Sequence, residues 1–372
     1  MSSTEAGRAG KIRVLVVDDS AVVRGMLSRA INSQPDMTVI AVASDPIAAI
    51  ERLKASTPDV LTLDVEMPRM DGLKFLEKLM RIRPLPVVMV SSFTARGAEV
   101  TMRALELGAV DFVAKPAAGA AESLAAYVEE VAEKVRAAAA ARVSRRTARE
   151  PIGDRTRPPR GAAMPSPARG AGRPSPGRSA VLSSDRTIVI GASTGGVEAL
   201  REVLVPLPEE MPPILIAQHM PGGFTRTFAQ RLDTQCRIHV KEADDGEFLS
   251  QGCAYIAPGD WHMLVERKHG RLAVRLSDSS PVNRHRPSVD PLFRSVAQTA
   301  GTQCIGVMLS GMGADGAQAM LELRQKGAHN IAQDEASCVV FGMPKQAIAA
   351  GAVHDILPLR EIGARLIELS RA

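Results

Sequence analysis

The sequence predicts an α/β protein: an N-terminal doubly wound (βα)5 domain, then a second doubly wound, mainly parallel-sheet α/β domain that includes an antiparallel hairpin. Two patterns carry this expectation. Short Val/Ile/Leu-rich runs alternate with helical-period stretches through residues 11–136, and the alternation resumes from residue 185. That is the pattern of β-α units closing a parallel sheet. Between them, residues 142–184 read RVSRRTAREPIGDRTRPPRGAAMPSPARGAGRPSPGRSAVLSS. Arg, Pro, Gly, Ala and Ser dominate, and such a segment buries too little apolar surface to offset its ordering entropy. The expected organisation is a flexible N-terminus (1–10), a first domain (11–136), a flexible Arg/Pro-rich tether (137–184) and a second domain (185–372).

In the first domain the apolar runs place strands at 12–17, 39–43, 60–63, 87–90 and 111–114. The stretches between and after them place helices at 21–32, 46–55, 73–81, 99–107 and 121–136. In the second, strands are expected at 187–191, 214–217, 236–241, 305–309, 330–333 and 354–357. Helices fit at 197–205, 225–233, 291–299, 316–326 and 345–350. The segment HMLVERKHGRLAVRL reads as an antiparallel hairpin turning at Lys268–Arg271.

Composition narrows the function classes. Of the net charge of +5, residues 137–184 supply ten Arg against two acids, a net of +8, so the remainder carries −3. The basic excess sits in the tether rather than on a folded face. With 3% aromatic residues there is little to stack bases on, so no nucleic-acid partner is expected. Cys236, Cys253, Cys304 and Cys338 show no metal or redox spacing and read as reduced buried thiols. The opening MSSTEAGRAGK has no apolar core, and no run of about 18 apolar residues occurs. A soluble, cytoplasmic protein without membrane insertion is expected.

Residues at the carboxyl ends of strands share one crevice in a doubly wound sheet. In the first domain Asp18 and Asp19 end the first strand, Asp64 the third, Ser91 the fourth and Lys115 the fifth. Clustered carboxylates repel unless a cation is present, and Mg²⁺ takes oxygen ligands of this kind. A lysine and a hydroxyl opposite would grip a phosphoryl group, leaving one aspartate to act as acceptor. Any one of these aspartates alone would be an ordinary cap or turn residue. The blocks VLVVDDS, LTLDVEMPRMDG, MVSSFT and DFVAKP resemble those of response-regulator receiver domains. That resemblance implies phosphorylation at Asp64, Mg²⁺ held by Asp18, Asp19 and Asp64, and switch roles for Ser91, Phe112 and Lys115.

In the second domain the loop GASTGG, residues 191–196, follows a strand and precedes a helix. It lacks the dinucleotide spacing G-x-G-x-x-G and the lysine of a P-loop. It could be a bare turn, yet it satisfies G-x-S-x-G, a strained elbow that exposes a serine and whose glycines leave room for a substrate carbonyl. Such a serine needs a base. Of seven histidines, His219 falls at the end of the next strand, whereas His269 sits in the hairpin turn and His239 mid-strand. Asp315 lies in the Gly-rich loop after the strand at 305–309. The order Ser193, His219, Asp315 differs from that of α/β-hydrolases, but such triads are defined by geometry, not order.

The blocks VIGASTGG, IAQHMP, YIAPGD, HRPSVD and LSGMGADG are similar to those of the chemotaxis protein-glutamate methylesterases, over roughly residues 185–370. The resemblance implies Ser193 as nucleophile, His219 as base and Asp315 as its orienter. It also implies an oxyanion-hole contribution from the Met312 backbone, with Thr194 and His285 nearby, and no cofactor for the esterase step. The implied activity is hydrolysis of glutamyl methyl esters, and deamidation of particular glutamines, on the cytoplasmic helices of methyl-accepting chemoreceptors. The implied phosphodonor is a CheA-like histidine kinase, and the unphosphorylated receiver partly covers the esterase site. The rivals are a phosphorylation-dependent adaptor and an esterase of a non-chemotactic pathway; the complete Ser/His/Asp set argues against the adaptor.

Overall fold

The computed structural model describes residues 10–67, 72–115, 124–141, 143 and 186–371. The expected N-terminal tail (residues 1–9), the first turn of the helix expected from 121, and the tether at 142 and 144–184 lie outside the described residues.

The first domain runs β1 (Ile12–Val17), α1 (Ala21–Asn32), β2 (Met37–Ala43), α2 (Pro46–Ala55), β3 (Val60–Asp64), α3 (Gly72–Ile82), β4 (Val87–Ser91), α4 (Ala95–Glu106), β5 (Asp111–Ala114) and α5 (Leu124–Ala140). Its five strands are parallel in the order β2-β1-β3-β4-β5. The order reverses between β1 and β3, so the loops after these two strands face one crevice. β3 and β4 are buried along their whole length, as a sheet covered on both faces requires. Polar caps set the helix starts: Ser20 accepts from Val23 N–H, Asp45 from Ile47 and Ala48, and Thr94 from Gly97. α5 continues to Ala140, into the segment expected to be tether. Its last residues are alanines, the best helix formers, and two of them, Ala137 and Ala138, are buried.

The second domain follows as β6 (Thr187–Ala192), α6 (Gly196–Leu204), β7 (Ile214–Gln218), α7 (Phe224–Gln235), β8 (His239–Glu242), β9 (Cys253–Ile256), β10 (His262–Lys268), β11 (Arg271–Ser277), α8 (Val289–Thr299), β12 (Cys304–Met308), α9 (Ala317–Gln325), β13 (His329–Gln333), α10 (Met343–Ala349), β14 (Asp355–Leu357) and α11 (Leu359–Arg371). Seven strands form a parallel sheet, β14-β13-β12-β6-β7-β9-β8. β10 and β11 form a separate hairpin with Lys268 opposite Arg271, as the sequence indicates. β9 and α11 are additions: β9 is only four residues long, and a short apolar run carries little periodic signal.

One buried apolar cluster spans both domains, including Leu105 and Phe112 of the first and Leu200 and Phe224 of the second. Phe112 packs on Phe224 with ring centroids 4.6 Å apart. Arg231 of α7 pairs with Glu106 of α4. All four cysteines are free and buried. Among the described residues no helix is long and apolar enough to cross a membrane.

Candidate active site

The strand order of the second sheet reverses about β6 and β12, and the loops following these two strands are stitched together. Ser193 N–H donates to the Ser310 carbonyl at 3.0 Å, and His219 N–H to that of Ala192 at 3.1 Å. The ends of β6, β7 and β12 therefore present Ser193, His219 and Asp315 to one crevice. His219 Nδ1 lies 3.1 Å from Ser193 Oγ, and His219 Nε2 lies 2.8 Å from Asp315 Oδ2. The carboxylate fixes the tautomer: Nε2–H donates to Asp315, which leaves the Nδ1 lone pair for the serine proton.

Asp315 is held by the N-terminus of α8. Val289 N–H donates to Oδ2 at 2.7 Å, while Ser288 Oγ–H at 2.8 Å and Asn283 Nδ2–H at 2.7 Å donate to Oδ1. Burial alone would favour the neutral acid, but the His219 hydrogen bond and charge, with the Val289 and Asn283 donors, hold the Asp315 carboxyl well below the usual range. A buried, ionised acceptor is what orients a base and stabilises it once protonated. The His285 ring stacks on His219, with centroids 3.8 Å apart and planes at 17°. Burial, then the neighbouring His219, pushes the His285 pKa down, so its ring stays neutral beside that of His219.

Two expectations about GASTGG need correcting. Its glycines make room for the protein itself rather than for a ligand. A Cβ on Gly191 would stand 2.6 Å from Val289 Cγ1, on Gly195 2.6 Å from Val339 Cβ, and on Gly196 2.1 Å from Gln218 Oε1. Nor does the loop expose a serine on a strained elbow. The left-handed residue is Gly195, at φ 79°, and Ser193 is 3% exposed. Close approach of the opposing loop explains part of that burial: a Cβ on Gly311 would stand 2.9 Å from Ser193 Cβ.

The receiver-like domain supplies another part. The Thr194 hydroxyl donates to the Asp111 carboxylate of β5, which also takes Lys134 Nζ of α5 at 2.9 Å. Thr194 is thus turned to the first domain, whereas Met312 and His285 line a cleft of about 470 Å³ that reaches Asp315. His239 is bound to Asp233 at 2.8 Å, and His269 occupies the hairpin turn at φ 51°, so neither competes as the base. Ser288, Asn283, Gln218 and Asp111 escape sequence reasoning. Ser288 stands at a helix N-cap, a position that flags it, but its hydroxyl is spent on Asp315. Gln218 Nε2–H donates to the Ser193 carbonyl at 3.0 Å, from the last residue of a strand that otherwise reads as purely apolar.

In the first domain the oxygens of Asp18, Asp19 and Asp64 lie within 4.8 Å of one another. Lys115 Nζ is 3.2 Å from Asp18 Oδ2 and 2.9 Å from Asp64 Oδ2. Burial pushes Asp64 up to about 6, and Asp18 is raised by the same cause. Carboxylates raised in this way, with oxygen donors alone, fit a hard divalent cation such as Mg²⁺. Ser91 is brought to the pocket only in part: its hydroxyl donates to the Gly97 carbonyl of α4 at 3.2 Å. Phe112 is 3% exposed and faces Phe224.

The fold and these two sites define a two-domain α/β protein in which an acidic, lysine-bearing pocket precedes a buried Ser–His–Asp constellation. The chain belongs to the CheB methylesterase family, in the form that carries a response regulator receiver domain. The family model described as "CheB methylesterase" matches residues 188–366, and that described as "Response regulator receiver domain" matches residues 14–129. A protein-glutamate methylesterase/protein-glutamine glutaminase of Chromohalobacter salexigens is 56% identical over 98% of this chain and 98% of its own. A protein of the same description from Paraburkholderia xenovorans is 56% identical over 96% of each chain. Among solved structures, the Thermotoga maritima CheB methylesterase catalytic domain is 42% identical, covering 50% of this chain and 98% of that one, with a TM-score of 0.49.

Proposed function

We propose that this chain is a phosphorylation-activated protein-glutamate methylesterase with protein-glutamine glutaminase activity, and that Ser193, His219 and Asp315 carry the reaction. The observation that carries the residue assignment is the buried relay, with Ser193 Oγ 3.1 Å from His219 Nδ1 and His219 Nε2 2.8 Å from Asp315. Ser193 Oγ attacks the γ-carbonyl of a glutamyl methyl ester as His219 Nδ1 takes its proton. The developing oxyanion is met by the Met312 N–H. His219 returns the proton to the methoxy oxygen and methanol leaves, giving an acyl-serine. His219 then deprotonates a water, which attacks the acyl carbon and releases Ser193 and a glutamate carboxyl. From a glutamine side chain the same sequence releases ammonia.

The receiver supplies control. Asp64 accepts the phosphoryl group from a CheA-like histidine kinase. Asp18, Asp19 and Asp64 would hold Mg²⁺, which would neutralise charge on the phosphoryl oxygens. Lys115 and Ser91 turn to the new phosphoryl oxygens, Ser91 leaving the Gly97 carbonyl and Phe112 drawing away from Phe224. This loosens the contact that holds Asp111 on Thr194. The substrates are methyl-accepting chemoreceptors, met in the cytoplasm. The test is methanol release from methyl-labelled receptor, with and without a small-molecule phosphodonor. Release that rises with the phosphodonor is expected; none in either condition overturns the reading.

A further inference from the structure

The loop 281–287 carries neighbours of His219, and one buried histidine holds the two ends of that loop. Asn283 Nδ2–H donates to Asp315 Oδ1, and the His285 ring stacks on that of His219. Directly after the loop, Ser288 Oγ–H donates to Oδ1 of the same carboxylate and Val289 N–H to its Oδ2. Oδ2 is also the atom paired with His219 Nε2, so a shift of residues 288 and 289 is felt at the His219 ring. The histidine in question is His262, the first residue of β10 and 1% exposed. Its Nε2 lies 3.2 Å from the Ser280 carbonyl oxygen, and its Nδ1 lies 3.3 Å from the Ser288 backbone nitrogen. A carbonyl only accepts and a backbone N–H only donates, so these two partners fix one neutral tautomer, with the proton on Nε2. Burial lowers the His262 pKa and Arg286 adds to the fall, against the opposing Ser280 carbonyl and Asp315, so the ring keeps that form.

The loop needs such a clasp. Asn283 and Arg284 both lie in the left-handed region, at φ 52° and 68°, conformations that persist only where the surroundings hold them. The Ser288 hydroxyl caps no N–H of α8, being turned to Asp315. The start of α8 is therefore held from outside, by Asp315 at Val289 and by His262 at Ser288. We propose that His262 is a positioning residue for the esterase: it clasps the ends of loop 281–287 and, through Ser288 and Val289, sets the Asp315 carboxylate that orients His219. The hairpin β10–β11, which lies outside the seven-stranded sheet, thereby contributes to the geometry of the site. The proposal rests on the methylesterase reading.

The test measures methanol release from methyl-labelled receptor by the full-length protein with phosphodonor, across pH, at a temperature below the melting transition of every variant. His262→Phe fills the ring volume and loses both hydrogen bonds, so kcat should fall about twentyfold with KM changed by less than about twofold. His262→Asn keeps an acceptor for the Ser288 N–H near the position of Nδ1, and should recover kcat to within about threefold of the wild type. With Ser288 and Val289 drawn off Asp315 in His262→Phe, the carboxylate holds a protonated His219 more strongly. The acid limb of kcat against pH should therefore move up by about half a unit or more in His262→Phe and stay in place in His262→Asn. A histidine that only supports the fold would lower the melting temperature without moving that limb. A His262→Phe variant that keeps kcat within about twofold, a His262→Asn variant that fails to recover it, or an acid limb that does not move in His262→Phe overturns the proposal. No methanol from the wild type would instead sink the methylesterase reading itself, a separate outcome.

Discussion

Asp315 makes a hydrogen-bonding partner of His219 and also gathers donors from Asn283, Ser288 and Val289, so the His219 ring is oriented by a residue that is itself over-determined. Two predictions belong at this scale. Ser193→Ala should lower methanol release by about 10³-fold or more while the melting curve stays that of the wild type; a variant that keeps its activity would move the nucleophile elsewhere. Asp315→Asn replaces an acceptor by an amide that can present an N–H to His219 and favour the wrong tautomer, so kcat should fall by about 10⁴-fold with a smaller change in KM. Legibility at this scale followed strand ends. Ser193 and His219 each follow a readable apolar run closely, and Asp315 lies in the Gly-rich loop that follows a third, so all three could be collected before any contact was known. Asn283 and Ser288 reach Asp315 across 32 and 27 residues of chain, and no local pattern records such a contact.

α5 shows what an element can do that its sequence does not announce. Its alanines carry the helix past the expected boundary, while Glu129 and Glu133 meet Arg284 and His285 of the second domain and Lys134 pairs with Asp111. Burial raises Glu130 to about 7 from the ordinary 4.5, with Asp111 and Glu133 adding to the rise and Lys134 opposing it. The unfolded chain releases that proton near 4.5 and the folded protein near 7, so between these values the folded state binds more protons and stability falls as pH rises. Above about 7 the penalty is fully present; below about 4.5 it is gone. Glu130→Gln carries no charge at any pH. It should therefore raise Tm near pH 8 by about 2–4 °C and change it much less near pH 5. Equal shifts at the two pH values would show that Glu130 ionises normally. The strands were more legible than this helix: β1 and β5 fall on the expected residues, because each centres on a buried apolar run followed by a charged residue. β9 has the same character but is short and follows a polar loop, which hid it.

At the scale of the whole molecule the contact between domains was the least legible part of the chain. Nothing in the sequence near Phe112 points to Phe224, or near Asp111 to Thr194, since each partner lies in the other domain. The contact joins the two sites: Phe112 and Asp111 belong to β5, the strand that Lys115 follows, and Thr194 follows Ser193. If phosphorylation acts on the esterase through this contact as a two-state element, the gain it can give is bounded by the fraction of molecules already open. If about 5% are open without phosphate, full opening yields about twentyfold and no more. Asp64→Asn should accordingly keep the basal rate of methanol release and lose the phosphodonor response. Asp111→Asn combined with Glu106→Gln removes the charged acceptor facing Thr194 and Lys134, and weakens the pairing with Arg231. It should raise the basal rate toward the phosphorylated value and shrink the phosphodonor response in proportion, since a contact already open has less left to release. Titrating phosphodonor against wild type and both variants in the same methanol assay measures this. A double variant whose basal rate rises while its fold-activation stays at the wild-type value would show that the domains do not act through one shared equilibrium.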